Sequence, residues 1–324
     1  MTDEQRLAQL GYKQELRRKL SGFSNFAVSF SIISILAGAI TSYGIAMTAG
    51  GPATITLGWL FVGGMVVFVA LAMAEICSVY PTAGALYWWA AALAKRNKAA
   101  WAWFVGWFNF LGEVAVTAAI DFGAAITTSA FFSLAFDLRV TAGRTFLVFL
   151  AIIVAHGLLN TFGVSLVRVL SDVSAVAEET HDAARSAPRG IVMSVVVSVI
   201  AGFVLLFAIT WSIQDYDAER ATALGLPPAQ IFIDAVGHDL GTFLLFICVV
   251  AQFFCGLASV TANSRMAYAF SRDGALPGSH LWKRVNPRTG TPTNSIWLCV
   301  ACSTALVVPS LWNTTAYWPP RRSR

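Results

Sequence analysis

Ser34-Ile-Leu-Ala-Gly38-Ala-Ile40-Thr41-Ser42-Tyr43-Gly44, with Gly50-Gly51-Pro52 a few residues on, is the stretch that decides the fold. It lies in a segment between Lys19 and Glu75 that holds no charged residue, and Gly50-Gly51-Pro52 divides that segment once. Each half is long enough to cross a bilayer, which takes about 20 apolar residues. A helix meant only to face lipid needs neither the glycines nor the hydroxyls found here. Glycine weakens a helix interior, and Ser and Thr satisfy backbone groups released where a helix opens. The expectation is a membrane helix interrupted between Gly38 and Gly44, and therefore a binding site at mid-depth.

Composition agrees with a membrane setting. The 324 residues are 57% hydrophobic and 12% charged, with 11 tryptophans and a mean hydropathy of +0.67. A soluble protein of this size could not hide so much apolar surface. The first 24 residues are polar, carry Arg6, Lys13, Arg17, Arg18 and Lys19, and do not read as a signal peptide. Residues 1–24 are therefore expected to form a cytoplasmic segment. The five cysteines lie in or beside apolar runs. Cys299-Val-Ala-Cys302 is formally a CxxC motif, but no histidine or second pair stands near it, so buried small hydrophobes are the simpler reading. The net charge of +5 is spread over loops, which argues against nucleic acid as a partner. No metal-ligand cluster, nucleophile elbow or phosphate loop is present, so neither an enzyme, a cofactor nor a metal is expected.

Seven segments qualify as spans by length and apolarity: 25–49, 54–79, 102–132, 145–167, 190–213, 242–269 and 292–312. With the N-terminus inside, the basic loops at Lys95-Arg96-Asn97-Lys98, Arg168 to Arg189 and Arg272 to Arg288 share the cytoplasmic side. The acidic loop with Asp215, Asp217, Glu219, Asp234 and Asp239 faces outward. The arginine-bearing tail, residues 313–324, breaks this pattern.

Ionisable groups inside spans are expensive and are functional candidates for that reason. Glu113 and Asp121 stand eight residues apart in the third span, about 80° around an ideal helix, and line one broad face. For both, the alternative is a protonated or packing carboxyl, and Asp121, nearer the outer end, is also open to simple solvation. His156 and Asn160, four apart, share a face of the fourth span, where interhelical hydrogen bonding is the plainer use. Ser259, Thr261 and Asn263 form a run of small polar residues in the sixth, suited to lining a polar path or to packing. Glu75, at the end of the second span, reads as a helix-end carboxylate pairing with loop cations.

These stretches together resemble the amino acid–polyamine–organocation permeases, in particular the GABA/choline-type amino acid permeases. The likeness is carried by Ser34–Gly44 with Gly50-Gly51-Pro52, and by Ala74-Glu-Ile-Cys-Ser-Val-Tyr-Pro81-Thr-Ala-Gly84-Ala-Leu-Tyr87-Trp88-Trp89. It continues through Gly106-Trp-Phe-Asn-Phe-Leu-Gly-Glu113, Glu178-Glu-Thr-His-Asp-Ala-Ala-Arg-Ser-Ala-Pro-Arg189 and Ser264-Arg-Met-Ala-Tyr-Ala-Phe-Ser-Arg272-Asp-Gly-Ala-Leu-Pro277. The resemblance implies an all-α, polytopic, leucine-transporter-like bundle in a cell membrane, with the transmembrane domain over residues 25–312. It implies secondary active transport of an amino acid or a GABA-, choline- or polyamine-like amine by alternating access, with a proton or sodium ion as possible co-substrate. Gly38, Ile40, Thr41, Ser42, Tyr43 and Gly44 correspond to the unwound, substrate-binding part of the first helix. Glu113, Asp121, Ser259, Thr261 and Asn263 are candidates for the polar path or for coupling.

One departure from the family is large. The Glu178-Glu-Thr loop follows the family's sixth helix, yet here it comes directly after what resembles only the start of the fifth. Most of the fifth helix and all of the sixth are therefore expected to be missing near residues 174–176, and the tenth to twelfth are expected to be missing as well. That leaves an incomplete bundle of about seven spans. Two functions compete: a working permease, or a transport-inactive remnant acting at most as a membrane interaction partner.

Overall fold

A computed structural model of the chain describes residues 33, 35–80, 85–162 and 183–312. Among them the fold is all helical, without strands. The helices are α1 (Ile35–Ala49), α2 (Gly51–Val79), α3 (Ala85–Leu93), α4 (Lys98–Phe136), α5 (Ala142–Phe162) and α6 (Ala183–Trp211). They continue with α7 (Tyr216–Arg220), α8 (Pro227–Val236), α9 (His238–Arg272), α10 (Ser279–Trp282) and α11 (Thr293–Val307), which runs on into a 3₁₀ turn at Val308–Leu311. Six of these are long and apolar enough to cross a membrane: α2, α4, α5, α6, α9 and α11 with its turn. The seventh expected span is represented only by α1, with 15 residues. The N-terminal part of that span lies outside the described residues, as do Pro81–Gly84, the Glu178-Glu-Thr-His motif, the 174–176 junction and the arginine tail.

Local chemistry sets the boundaries. α4 is 39 residues long, roughly 58 Å at ~1.5 Å per residue, about twice the ~30 Å hydrocarbon core. It is bounded by Asn97 (φ 52°) and Asp137 (φ 53°), the two non-glycine residues in left-handed backbone among those described. Short polar side chains tolerate that conformation best, so the chain turns where they occur. Between α1 and α2, Gly51 takes a positive φ of 68° and Pro52 pre-sets the first turn of α2. α6 starts earlier than expected. Residues from Ala183, including Pro188 and Arg189, are already helical, so that end of the predicted loop is the first turns of a helix.

The helices form two groups with α1 between them. α4, α5, α9 and α11 pack against one another, around a core of Phe122, Phe149, Ile153, Val260, Ile296 and Val300. α2 pairs with α6 along its length. Trp59 lies over Gly202 and donates its indole N–H to the Val199 carbonyl at 2.9 Å. α1 touches α2, α4, α6, α8 and α9, and its Ile40, Tyr43 and Met47 anchor a shared core with Ile55, Leu206, Ile209, Ile231 and Leu245. Large apolar side chains of α2 and α6 such as Phe61, Phe68, Ile200 and Val204 face outward, as lipid contact requires.

The expected interruption in α1 is not there. Ile35–Ala49 is a continuous α-helix through Gly38 and Gly44. A glycine costs a helix interior about 1 kcal/mol relative to alanine. Three fully buried side chains on one face, Ile40, Tyr43 and Met47, outweigh that, since burying each stabilises by about 1.5–3 kcal/mol. The hydroxyls bind inside the helix rather than across a gap: Thr41 Oγ1 donates to the Ala37 carbonyl at 2.7 Å and Thr48 Oγ1 to that of Gly44 at 2.9 Å.

Candidate functional site

The six α1 candidates do not share one surface. Ile40 and Tyr43 point into the core, and the Tyr43 hydroxyl pairs with Thr210 Oγ1 of α6 at 2.7 Å. Thr41 turns toward α4, where a Cβ on Gly123 would come within 2.7 Å of its methyl group. Gly44 faces the Pro227 ring of α8, where a Cβ on Gly44 would come within 3.1 Å of the ring. Gly38 and Ser42, one turn apart, are exposed, and Ile45 continues that open face at 73% exposure. One face of α1 is thus uncovered among the described residues, while the rest is held on three sides.

Three loop and helix-end groups that the sequence reading did not single out fasten the C-terminal half of α1. The Tyr216 hydroxyl of α7 donates to the Met47 carbonyl, Pro227 packs on Gly44, and Thr210 holds Tyr43. Beneath them Glu219 is fully buried. Its Oε1 accepts from the Gln214 N–H at 3.0 Å, and Oε2 has no hydrogen-bond partner among the described residues. Burial pushes this carboxyl above its ordinary range, against backbone hydrogen bonds that act to lower it, and Asp234 and Asp215 add to the upward shift.

The remaining candidates meet in the four-helix group. Asp121 is fully buried, with Oδ1 3.1 Å from Nδ1 of the equally buried His156. A solvated role for Asp121 is therefore ruled out: α5 and α9 close over the carboxyl where the sequence placed it near the surface. One turn toward the start of α4, Thr117 hydrogen-bonds Ser259 at 2.9 Å and accepts from Asn263 Nδ2 at 3.3 Å. Asn160 accepts from Thr261 Oγ1 at 2.5 Å and donates to the His156 carbonyl. Ser259, Thr261 and Asn263 are thus all engaged across helices, in two neighbouring sets. Glu113 is half-buried at the start of the same α4 face, and its carbonyl accepts from Thr117 Oγ1 at 2.8 Å. Glu75 is exposed at the end of α2. Thr117 was legible, four residues from both Glu113 and Asp121. Gln252 and Gly256, which complete the α9 side, carried no such signal.

The Amino acid permease family model matches residues 20–177 and 171–318, together almost the whole chain. The chain belongs to the amino acid permease family. It is 34% identical to the amino-acid permease BAT1 of Arabidopsis thaliana, over 96% of this chain and 76% of that protein. The BAT1 homologue of Oryza sativa subsp. japonica is likewise 34% identical, over 98% of this chain and 76% of its own length. The GABA-specific permease of Saccharomyces cerevisiae is 29% identical, over 95% of this chain and 66% of the yeast protein. This permease is a multi-pass membrane protein of an amino acid transporter family, not an enzyme. The alignment with the Arabidopsis relative runs over 392 positions, more than the 324 residues of this permease, so the relative holds sequence that this chain lacks. The two family matches meet at residues 171–177.

Proposed function

We propose that this permease takes up an amino acid or a related amine, of the GABA, choline or polyamine type, across a cell membrane by secondary active alternating access. The N-terminus is then cytoplasmic, and a proton or sodium ion is co-transported. The observation that carries the reading is the position of α1. It bridges two helix groups, contacts both, and leaves Gly38 and Ser42 open. A substrate on that face would feel the α2–α6 pair move against the four-helix group. The exposed Ser42 hydroxyl suits a carboxylate.

A second reading is favoured by the same open face: the chain lacks the stretch that would close the site, near residues 174–176, and does not transport alone. The meeting of the family matches at 171–177 and the longer alignment with the Arabidopsis relative support it. Uptake of labelled amino acids and GABA into proteoliposomes separates the two. Saturable uptake, reduced at least tenfold by Gly44→Leu and more mildly by Thr41→Val, supports transport. Uptake no higher than in empty vesicles, from protein whose circular dichroism is helical, leaves the remnant reading standing.

A further inference from the structure

In the middle of the four-helix group a carboxyl and an imidazole face each other with little else to satisfy them. Asp121 of α4 and His156 of α5 are both fully buried and 3.1 Å apart. Apart from that contact, neither side chain has a hydrogen-bond partner among the described residues. α9 closes over the pair with Gly256, where a Cβ would sit 2.0 Å from Asp121 Oδ1 and 2.6 Å from His156 Cε1. One turn along α9, Gln252 is fully buried with both amide atoms unpartnered among the described residues. The Phe253 ring lies 4.6 Å from the imidazole. A buried polar group without a hydrogen bond costs on the order of 2–7 kcal/mol, yet Asp121, His156 and Gln252 have between them only the Asp121–His156 contact among the described residues.

The titratable surroundings are sparse. Among the described residues, α9 carries Cys255 beside Gly256, α11 carries Cys299 and Cys302 in the cluster around Val114 and Phe270, and the Tyr43 hydroxyl of α1 is taken by Thr210 of α6. Glu113 lies two turns away on α4 itself. The charged residues of α5 and α9 (Arg144, Asp239, Arg265 and Arg272) lie more than two turns along their helices from His156 or Gly256. No lysine or arginine of the described α4, α5, α9 or α11 residues is therefore placed to neutralise Asp121.

We propose that Asp121 and His156 form a proton-binding dyad that couples this permease to a proton, an inference that rests on the transport reading above. One shared proton makes the pair neutral overall, as carboxylate with imidazolium or as carboxylic acid with imidazole. When the proton leaves, one O–H or N–H bond breaks, the proton passes to water, and the electron pair stays on the dyad as a net negative charge. In a dry site that charge costs several kcal/mol, so release requires the site to be wetted. Proton exchange is thereby tied to the conformation of the bundle. A sodium ion does not fit: one carboxylate and an imidazole nitrogen are a poor set for a hard cation, which takes several oxygens. α1 reaches the same stretch of α4, where Thr41 lies against Gly123, two residues along the helix from Asp121. Thr117, Ser259 and Asn263 continue the polar side of α4 toward Glu113.

The full chain in lipid nanodiscs tests this by pH-dependent infrared difference spectroscopy, reading the C=O stretch of a protonated carboxyl together with the carboxylate and imidazole ring bands, so that either form of the pair is seen. The expected result is a titrating band that Asp121→Asn removes and whose midpoint His156→Gln displaces. Absence of any band sensitive to Asp121→Asn, or a midpoint unchanged in His156→Gln, overturns the dyad. A second arm measures transport: both variants keep substrate counterflow and lose at least tenfold of accumulation driven by a pH gradient. Accumulation that survives in both variants also overturns the dyad. If the unaltered chain shows no counterflow, the transport reading fails, while the infrared arm still decides the proton site.

Discussion

At residue scale, two positions are controlled by what lies directly against them. Gly256 is the backbone that lets α4, α5 and α9 meet at Asp121 and His156. Gly256→Ala puts a methyl group 2.0 Å from a carboxylate oxygen, so the helices must part, at a cost of about 1–3 kcal/mol for overpacking. A lower thermal midpoint in detergent is the expected outcome, and Gly143→Ala, with open space around it, is the control that leaves the midpoint unchanged. Glu219 makes a different prediction, in pH. Its folded-state carboxyl is raised above 4.5 by burial, so the folded chain keeps a proton that the unfolded chain has released. Stability of the α7–α8 segment is therefore greatest below pH 4.5 and falls as pH rises through the raised value. Protection factors over residues 214–236, with the intrinsic pH dependence of amide exchange divided out, should fall across that window, and Glu219→Gln should flatten the dependence. A flat profile in the unaltered chain would sink this account.

At the scale of elements, the α2–α6 pair depends on small residues that let two backbones approach. A Cβ on Gly202 would lie 2.3 Å from the Trp59 ring, and one on Gly63 2.8 Å from Val199, whereas Gly64 has nothing within 4 Å. Gly202→Val is expected to separate the pair and break the Trp59–Val199 hydrogen bond, while Gly64→Ala is neutral. Tryptophan fluorescence and proteolysis of the two variants check it. This seam also shows what a sequence can and cannot announce. The membrane helices are legible because about 20 apolar residues in a row have few other uses. The family is legible because its motifs keep their order. The continuous α1 is not, because glycine content signals only a small local penalty, and the burial that overrides it comes from α2, α6, α8 and α9. The Asp121–His156 contact is invisible for the same reason: its partners sit on different helices, and no spacing rule links them. Thr117, four residues from each candidate on its own helix, needed nothing but the helical period.

At the scale of the whole molecule, the question is what the open face of α1 meets. Ser42 and Gly38 are exposed while Tyr43, the very next residue after Ser42, is 1% exposed. If that face lines a water-filled half-site, a thiol at position 42 is ionisable and reacts with a water-soluble thiol reagent. If it faces lipid tails, the thiol stays protonated and inert. The native cysteines Cys77, Cys248, Cys255 and Cys299 are buried, and Cys302 partly so, which keeps the background low. Ser42→Cys in nanodiscs is expected to label readily, Tyr43→Cys to label at least tenfold more slowly, and excess amino acid or GABA to protect position 42. Labelling without protection would mean that the half-site is wet but holds no substrate, which is the behaviour of a remnant. No labelling at either position would place the face against lipid and remove α1 from the substrate path.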